Sequence, residues 1–342
     1  MREQLREAAS RVLVASGITR IGRTLGDKSG ALILYGHRIS ADDEGYLQGL
    51  APHWFAEQVR YLARHYEIIT LDALITCLER GKAPPPKSVV LTLDDGFRDN
   101  IEAGLPILDA LGASATVFVV TQSLSDGRLP WSQRLGYVFQ HATATELRHP
   151  LLGPEPVPIT DSGTRQHMYQ TIKLGLSSKS REQRDDHIDR LAHELGVDLP
   201  NDRMMTWEHA SAALDRGHGI GAHTYSHALL ARLPIALARE EMVRSRDDLA
   251  SHLGIVHPPF CFPAGSTSPE LFDLTRTLGF RSAFLPNRLK RLNRPPDVDA
   301  FSMVRVGLPN APAHQLEAEI DGPFHSLRCA LGRYGSATGA AS

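Results

Sequence analysis

Cysteine is scarce in this chain of 342 residues: Cys77, Cys261 and Cys329 are far apart and odd in number. Such a set excludes a disulfide framework and a cysteine-rich zinc site, and points to a reducing compartment. Long apolar runs are missing as well. No stretch reaches the roughly 18 uninterrupted apolar residues of a membrane span, and the opening Met-Arg-Glu-Gln-Leu-Arg-Glu has no apolar core of signal-peptide length, so the expected location is cytoplasmic. There is no basic block interleaved with aromatics, and the formal charge is −2, so nucleic acid is not an expected partner. Internal repeats and low-complexity tracts are absent too. What remains is an ordinary globular composition, 42% hydrophobic and 22% charged, long enough for one large α/β domain or two ordinary ones.

Residues 1–30 form an N-terminal segment in which Leu5, Ala9, Val12, Leu13, Ile18, Ile21 and Leu25 recur at helical spacing, with five arginines between them. The spacing predicts an amphipathic helix packed on the main domain, with peripheral membrane contact through residues 1–25 as the other use of such a face. Strand and helix then alternate: a strand over 31–35, a helix over 53–65, a strand over 89–93, a helix over 100–111 and a strand over 115–120. Residues 126–205 break the rhythm with a polar, Pro-containing stretch at 150–158 and a charged helical stretch at 164–195, and read as an insertion. The alternation resumes with a helix at 207–215, a strand at 219–222, a helix at 235–253, a strand at 260–262, a helix at 269–278 and strands near 281–284 and 302–306. Residues 311–342 are expected to be a tail, partly helical and then disordered. Seven or eight strands with helical connections favour a closed or nearly closed β/α barrel over an open doubly wound sheet.

Chemistry concentrates at three strand ends. Leu93-Asp94-Asp95-Gly96 follows an apolar, β-branched strand, so two adjacent carboxylates stand where parallel strands open. Both ionise comfortably only if a cation or a shared proton separates them, although Asp-Asp-Gly is also a common turn. His223-Thr-Tyr-Ser-His227 places two imidazoles four apart after a short strand. One carboxylate and two histidines form the ligand set of a catalytic zinc or 2-His-1-carboxylate site with positions open to water and substrate. Phe260-Cys-Phe-Pro-Ala-Gly265 ends in a turn whose backbone N–H groups can meet a developing oxyanion.

The strings TLDDGFRDN, GHGIGAHTYSH and FCFPAGS resemble the three successive motifs of the polysaccharide deacetylase (NodB-homology) family, and the likeness extends over roughly residues 31–310. It implies a distorted β/α barrel of about seven parallel strands, a divalent metal, usually zinc, and hydrolysis of N-acetyl groups on sugars. Carried over by position, Asp94 matches the family's catalytic base, Asp95 its carboxylate ligand, and His223 and His227 its histidine ligands. The backbone N–H of Ala264 matches the oxyanion donor. Two departures stand out. Many members carry an arginine four residues before the glycine of the third motif, where this chain has Cys261; Arg305 near the last strand is the candidate substitute. The family's late Leu-His motif has no counterpart, which leaves His37, in Tyr35-Gly-His-Arg38, as candidate acid or substrate ligand. Trp131 in the insertion is a candidate platform for a sugar ring. The same residues would serve hydrolysis of another non-peptide C–N bond, such as a formamide or cyclic ureide, or survive in a non-catalytic sugar-binding barrel. Nothing in the sequence sets the oligomeric state or tells a polymer from a lipid- or nucleotide-linked sugar.

Overall fold

A computed structural model of the chain describes residues 2–26, 29–41, 49–284, 292–323 and 325. Its strands are β1 (Leu32–Gly36), β2 (Glu67–Ile68), β3 (Ser88–Asp95), β4 (Ala115–Val119), β5 (Glu146–Leu147), β6 (Val157–Pro158), β7 (Gly219–Ala222), β8 (Pro259–Phe260), β9 (Ser282–Ala283) and β10 (Val306–Gly307). Seven of them run parallel in the order β10-β1-β3-β4-β7-β8-β9, with β2 paired to the foot of β3. The sheet curls into a half-barrel. Its open side is narrowed by a parallel bridge between Phe284 and Met303, just before β10. The separate β5–β6 pair is antiparallel and belongs to the insertion.

Alternation along the strands sorts side chains onto two faces. Leu32 and Leu34, Val89, Leu91 and Leu93, and Val117 and Val119 pack outward in one cluster. Their neighbours Ile33, Val90 and Phe118 point into the barrel with Cys261, Phe284 and Met303. Leu71, Leu74, Ile75 and Leu78 join this inner cluster. They lie at i, i+3, i+4 and i+7 on a helix over Leu71–Glu79, capped by the Thr70 hydroxyl, that plugs the barrel. Gly221 makes room for the filling: a Cβ there would lie 2.5 Å from the Phe118 ring. Because helices cover one face and packed side chains the other, β3 is buried throughout, as parallel sheets require.

Several expected elements differ in detail. Residues 1–25 form two helices, α1 (Arg2–Ala15) and α2 (Ile18–Leu25), because Gly17 turns left-handed at φ 77°. The helix expected over 100–111 begins as a π turn over Asn100–Gly104, where the Leu105 N–H reaches back to the Asn100 carbonyl; Pro106 has no N–H to continue the usual ladder. The insertion holds a helix over Trp131–His141 besides those at Ser162–Leu176 and Arg181–Glu194, around a core of its own. The tail opens with α3, our label for the helix Ala313–Asp321, packed on α1 and α2; the rest of the expected tail, 326–342, lies outside the described residues. Among the described residues no helix is long and apolar enough to cross a membrane.

Candidate active site

The parallel strands all end at one mouth, and the three sequence motifs meet there. β3 delivers Asp94 on the inward face and Asp95 one residue later. With φ 76° the Asp95 backbone leaves the pleat and swings its carboxylate back over the mouth, and Gly96 follows at the same angle. Thr224 at 65°, His227 at 57° and Ala264 at 51° are also left-handed, so among the described residues four of the five non-glycine residues with positive φ belong to the motif loops. Each costs about 1–3 kcal/mol of backbone strain, which persists only because the surrounding contacts determine it.

Those contacts are specific. Asp95 Oδ2 accepts a hydrogen bond from Gln133 Nε2 at 2.8 Å. Its Oδ1 is buried without a hydrogen-bond partner and faces His223 Nε2 at 3.3 Å and His227 Nε2 at 3.2 Å. His223 Nδ1 donates to the Cys261 carbonyl at 2.7 Å, which leaves its Nε2 as a lone pair aimed at a carboxylate. Two such electron-rich atoms sit comfortably this close when a proton or a metal cation lies between them. The three ligand atoms fall within 4.8 Å of one another, and the residues are buried. Burial would raise the Asp95 carboxyl, but the two imidazoles facing it, His227 first, hold it well below the ordinary range. The donor set therefore fits a divalent cation.

A second cluster, Asp94, His223 and Cys261, is equally tight, but a guanidinium already occupies it. Arg305 Nη1 and Nη2 grip Asp94 Oδ1 and Oδ2 at 2.7 and 2.8 Å, and Nη2 also lies 2.9 Å from Cys261 Sγ. Nη1 reaches Thr92 Oγ1 at 3.2 Å, and Thr92 in turn donates to the Leu34 carbonyl. The guanidinium stands among the rings of Tyr35, Phe284 and Phe118, 4.6, 4.8 and 5.8 Å from their centres. Burial alone would raise the Asp94 carboxyl, yet the charge and hydrogen bonds of Arg305 bring it below its usual range. Asp94 is thus a fixed, ionised carboxylate beside a cation site that it does not share.

The insertion supports this arrangement from the side. Trp131 Nε1 donates to the His227 carbonyl at 2.9 Å. Arg184, 1% exposed, donates to Ser226 Oγ at 2.7 Å, and both the N–H and the hydroxyl of Ser226 bind Glu241. Trp131 itself, the candidate sugar platform, is 3% exposed and packed in the insertion core, with its N–H engaged. His37 is exposed on the loop after β1 and close enough to Asp94, Asp95 and His227 to act on their charges. Asn100 holds the His37 carbonyl at 2.7 Å, and Asp99 binds the Ile39 N–H and Arg38. Ala264 lies in a single 3₁₀ turn after β8. The residues not anticipated are Gln133, Arg184, Ser226, Glu241 and the carbonyl of Cys261. Polar residues in a charged helical stretch carry no local signal that they will meet a loop elsewhere in the chain.

Comparison with known proteins agrees with the geometry. The sequence profile described as Polysaccharide deacetylase matches residues 81–283, more than half of the chain. The putative polysaccharide deacetylase YxkH of Bacillus subtilis is 28% identical over 81 residues, 24% of this chain and 29% of that protein, so the match spans less than a third of the relative's length. Among solved structures, the Streptococcus pyogenes deacetylase PplD in complex with acetate superposes with a TM-score of 0.57 at 16% identity, covering 85% of this chain and 97% of that one. IcaB from Ammonifex degensii gives 0.54 at 20% identity, with 85% and 96% covered. At these identities the structural likeness speaks for the fold.

Proposed function

The chain belongs to the polysaccharide deacetylase family, and from that premise we propose that it is a metal-dependent hydrolase that removes the N-acetyl group from an amino sugar. The observation that carries the reading is the division of labour between adjacent carboxylates: Asp95 faces two imidazoles, whereas Asp94 is gripped by a guanidinium and kept ionised.

Asp95, His223 and His227 would hold the ion, with zinc the expected metal. When bound, a divalent cation supplies Lewis acidity for the amide carbonyl and lowers the pKa of a water molecule. Asp94 accepts the proton of the attacking water, with Arg305 fixing the plane of its carboxylate. The Ala264 N–H, the oxyanion donor that the third motif implies, donates to the oxygen that becomes negative. His37 protonates the departing nitrogen. The products are acetate and a free amino sugar, and the acceptor classes are polymeric, oligomeric, lipid-linked and nucleotide-linked N-acetyl sugars.

Acetate release from a panel of these substrates tests the reading. Release that is abolished by chelation and restored by zinc is the expected outcome. Turnover of a formamide or cyclic ureide with no acetate from any N-acetyl sugar would replace it.

A further inference from the structure

The two N-terminal helices are built inside out. On α2 the residue facing the protein is polar: Thr19 is 1% exposed and donates to Glu317 of α3 at 2.7 Å. Arg23 beside it donates to Tyr61 Oη at 2.6 Å and pairs with Glu317 at 3.2 Å. Gly22 lies so close to α3 that a Cβ would collide with the Asp321 carbonyl. On α1 the buried residue is Ser10. Leu13 and Val14 are half-buried, but five large apolar side chains point the other way: Leu5 is 63% exposed, Val12 66%, Ile18 41%, Ile21 58% and Leu25 79%. Scattered exposed leucines are ordinary, but here five of the nine large exposed hydrophobics of the described residues fall on two consecutive short helices.

We propose that this face of α1 and α2 docks on an anionic lipid surface. Three observations select that occupant. The polar network to α3 fixes which side of each helix is free, so the apolar stripe is a built feature of the folded chain. Residues 2–25 carry five arginines against two glutamates; Glu317, Glu319 and Asp321 of α3 lie against the inner side of the helices, where Arg23 is spent, and three of the other arginines stay exposed. Arg20 is exposed with no partner among the described residues, and Arg6 and Arg11 remain about two-thirds exposed at 60% and 67%. An apolar stripe flanked by arginines is the pattern of a helix that lies in the headgroup region, and neither helix has the length to span. In a symmetric dimer the same arginines would meet their own copies, whereas anionic headgroups attract them. Docking of this kind does not rest on the deacetylase reading.

Flotation of the full-length protein with vesicles of phosphatidylcholine, alone or mixed with phosphatidylglycerol, tests the proposal. The comparison variant is Leu5→Asp/Ile21→Asp/Leu25→Asp, whose sites are solvent-exposed and whose fold is checked by circular dichroism. The wild type is expected to float with the anionic vesicles, with at least about a tenfold loss in the variant and a further loss at high salt. Acetate release from a soluble N-acetyl sugar is expected to be the same in both proteins, so failure of the docking and failure of the deacetylase reading are read separately. Absence of flotation, equal flotation by the variant, or equal binding to neutral vesicles would overturn the proposal. A concentration-dependent dimer that the variant abolishes, without vesicle binding, would assign the face to a second copy instead.

Discussion

Replacing Arg305 by methionine removes the guanidinium from Asp94 while keeping most of the apolar volume among Tyr35, Phe118 and Phe284. The two hydrogen bonds at 2.7 and 2.8 Å are charge-assisted, bidentate and almost dry, with side chains 12% and 4% exposed. Breaking such a pair leaves a buried carboxylate without a counter-ion, at about 3–5 kcal/mol. Asp94 answers by taking up a proton. In the wild type its carboxyl is held below the ordinary value, so its contribution to stability is present above the unfolded pKa and is lost as pH falls through the folded one. In the variant burial is opposed only by the weaker influence of His223 and His37 and raises the carboxyl, so the sign of this group's contribution reverses: it destabilises at neutral pH and the loss is recovered as the medium is acidified toward the raised value. A protonated, unaligned Asp94 is a poor base, and kcat is expected to fall by at least about a hundredfold. Moving the arginine to the position where the family resemblance expects it, in Arg305→Met/Cys261→Arg, is expected to recover at least about tenfold of that loss, because Cys261 Sγ already touches the guanidinium. Acetate release and thermal melts from pH 5 to 8 read both effects. Arg305→Met retaining kcat within about threefold of wild type would refute the positioning role.

Three further substitutions probe the scaffold. Gln133→Leu takes the donor from Asp95 Oδ2 and should weaken metal retention by about 10–100-fold in a competition titration with a chelator. Gly221→Ala forces a Cβ to 2.5 Å from the Phe118 ring and should cost about 1–3 kcal/mol in denaturant melts, with no change in metal content where the protein remains folded. In the insertion, burial and then the neighbouring His187 lower His149 to about 4, so the unfolded chain binds the extra proton first. Stability should therefore decline as pH falls from about 6.5 to 4, by about 1–2 kcal/mol after solvent screening, and His149→Asn should flatten that slope.

The meeting of Asp94, Asp95, His223 and His227 at one mouth was legible because each of them sits at the end of a strong local signal. Val89 to Leu93 reads as a buried strand from its own side chains, and the strand over 219–222 and the helices over 207–215 and 235–253 lie within those residues in the structure. The residues that brace the motif loops were not legible, since Gln133 lies in the part of the insertion given no element from sequence and Arg184 in a charged helical stretch whose own pattern says only that it is exposed. Their role follows from the insertion folding back over the His223–His227 loop. Arg305 was visible as a candidate only because Cys261 stands where an arginine was expected; its cage of aromatic rings is a product of barrel closure. For Trp131 the burial was not legible, because an aromatic residue looks the same in sequence whether its face or its N–H is used. The helix over 71–79 could have been found from Leu71, Leu74, Ile75 and Leu78 alone, which already show the 3–4 spacing.

The account turns on one ion held by Asp95, His223 and His227 while Asp94 stays free to act on water. Elemental analysis of purified wild type, Asp94→Asn, His223→Ala and His227→Ala, each confirmed folded by circular dichroism, tests it most directly. Near-stoichiometric metal in the wild type and Asp94→Asn, with loss from both histidine variants, is the predicted result. Full metal content in the histidine variants, or loss in Asp94→Asn alone, would contradict it.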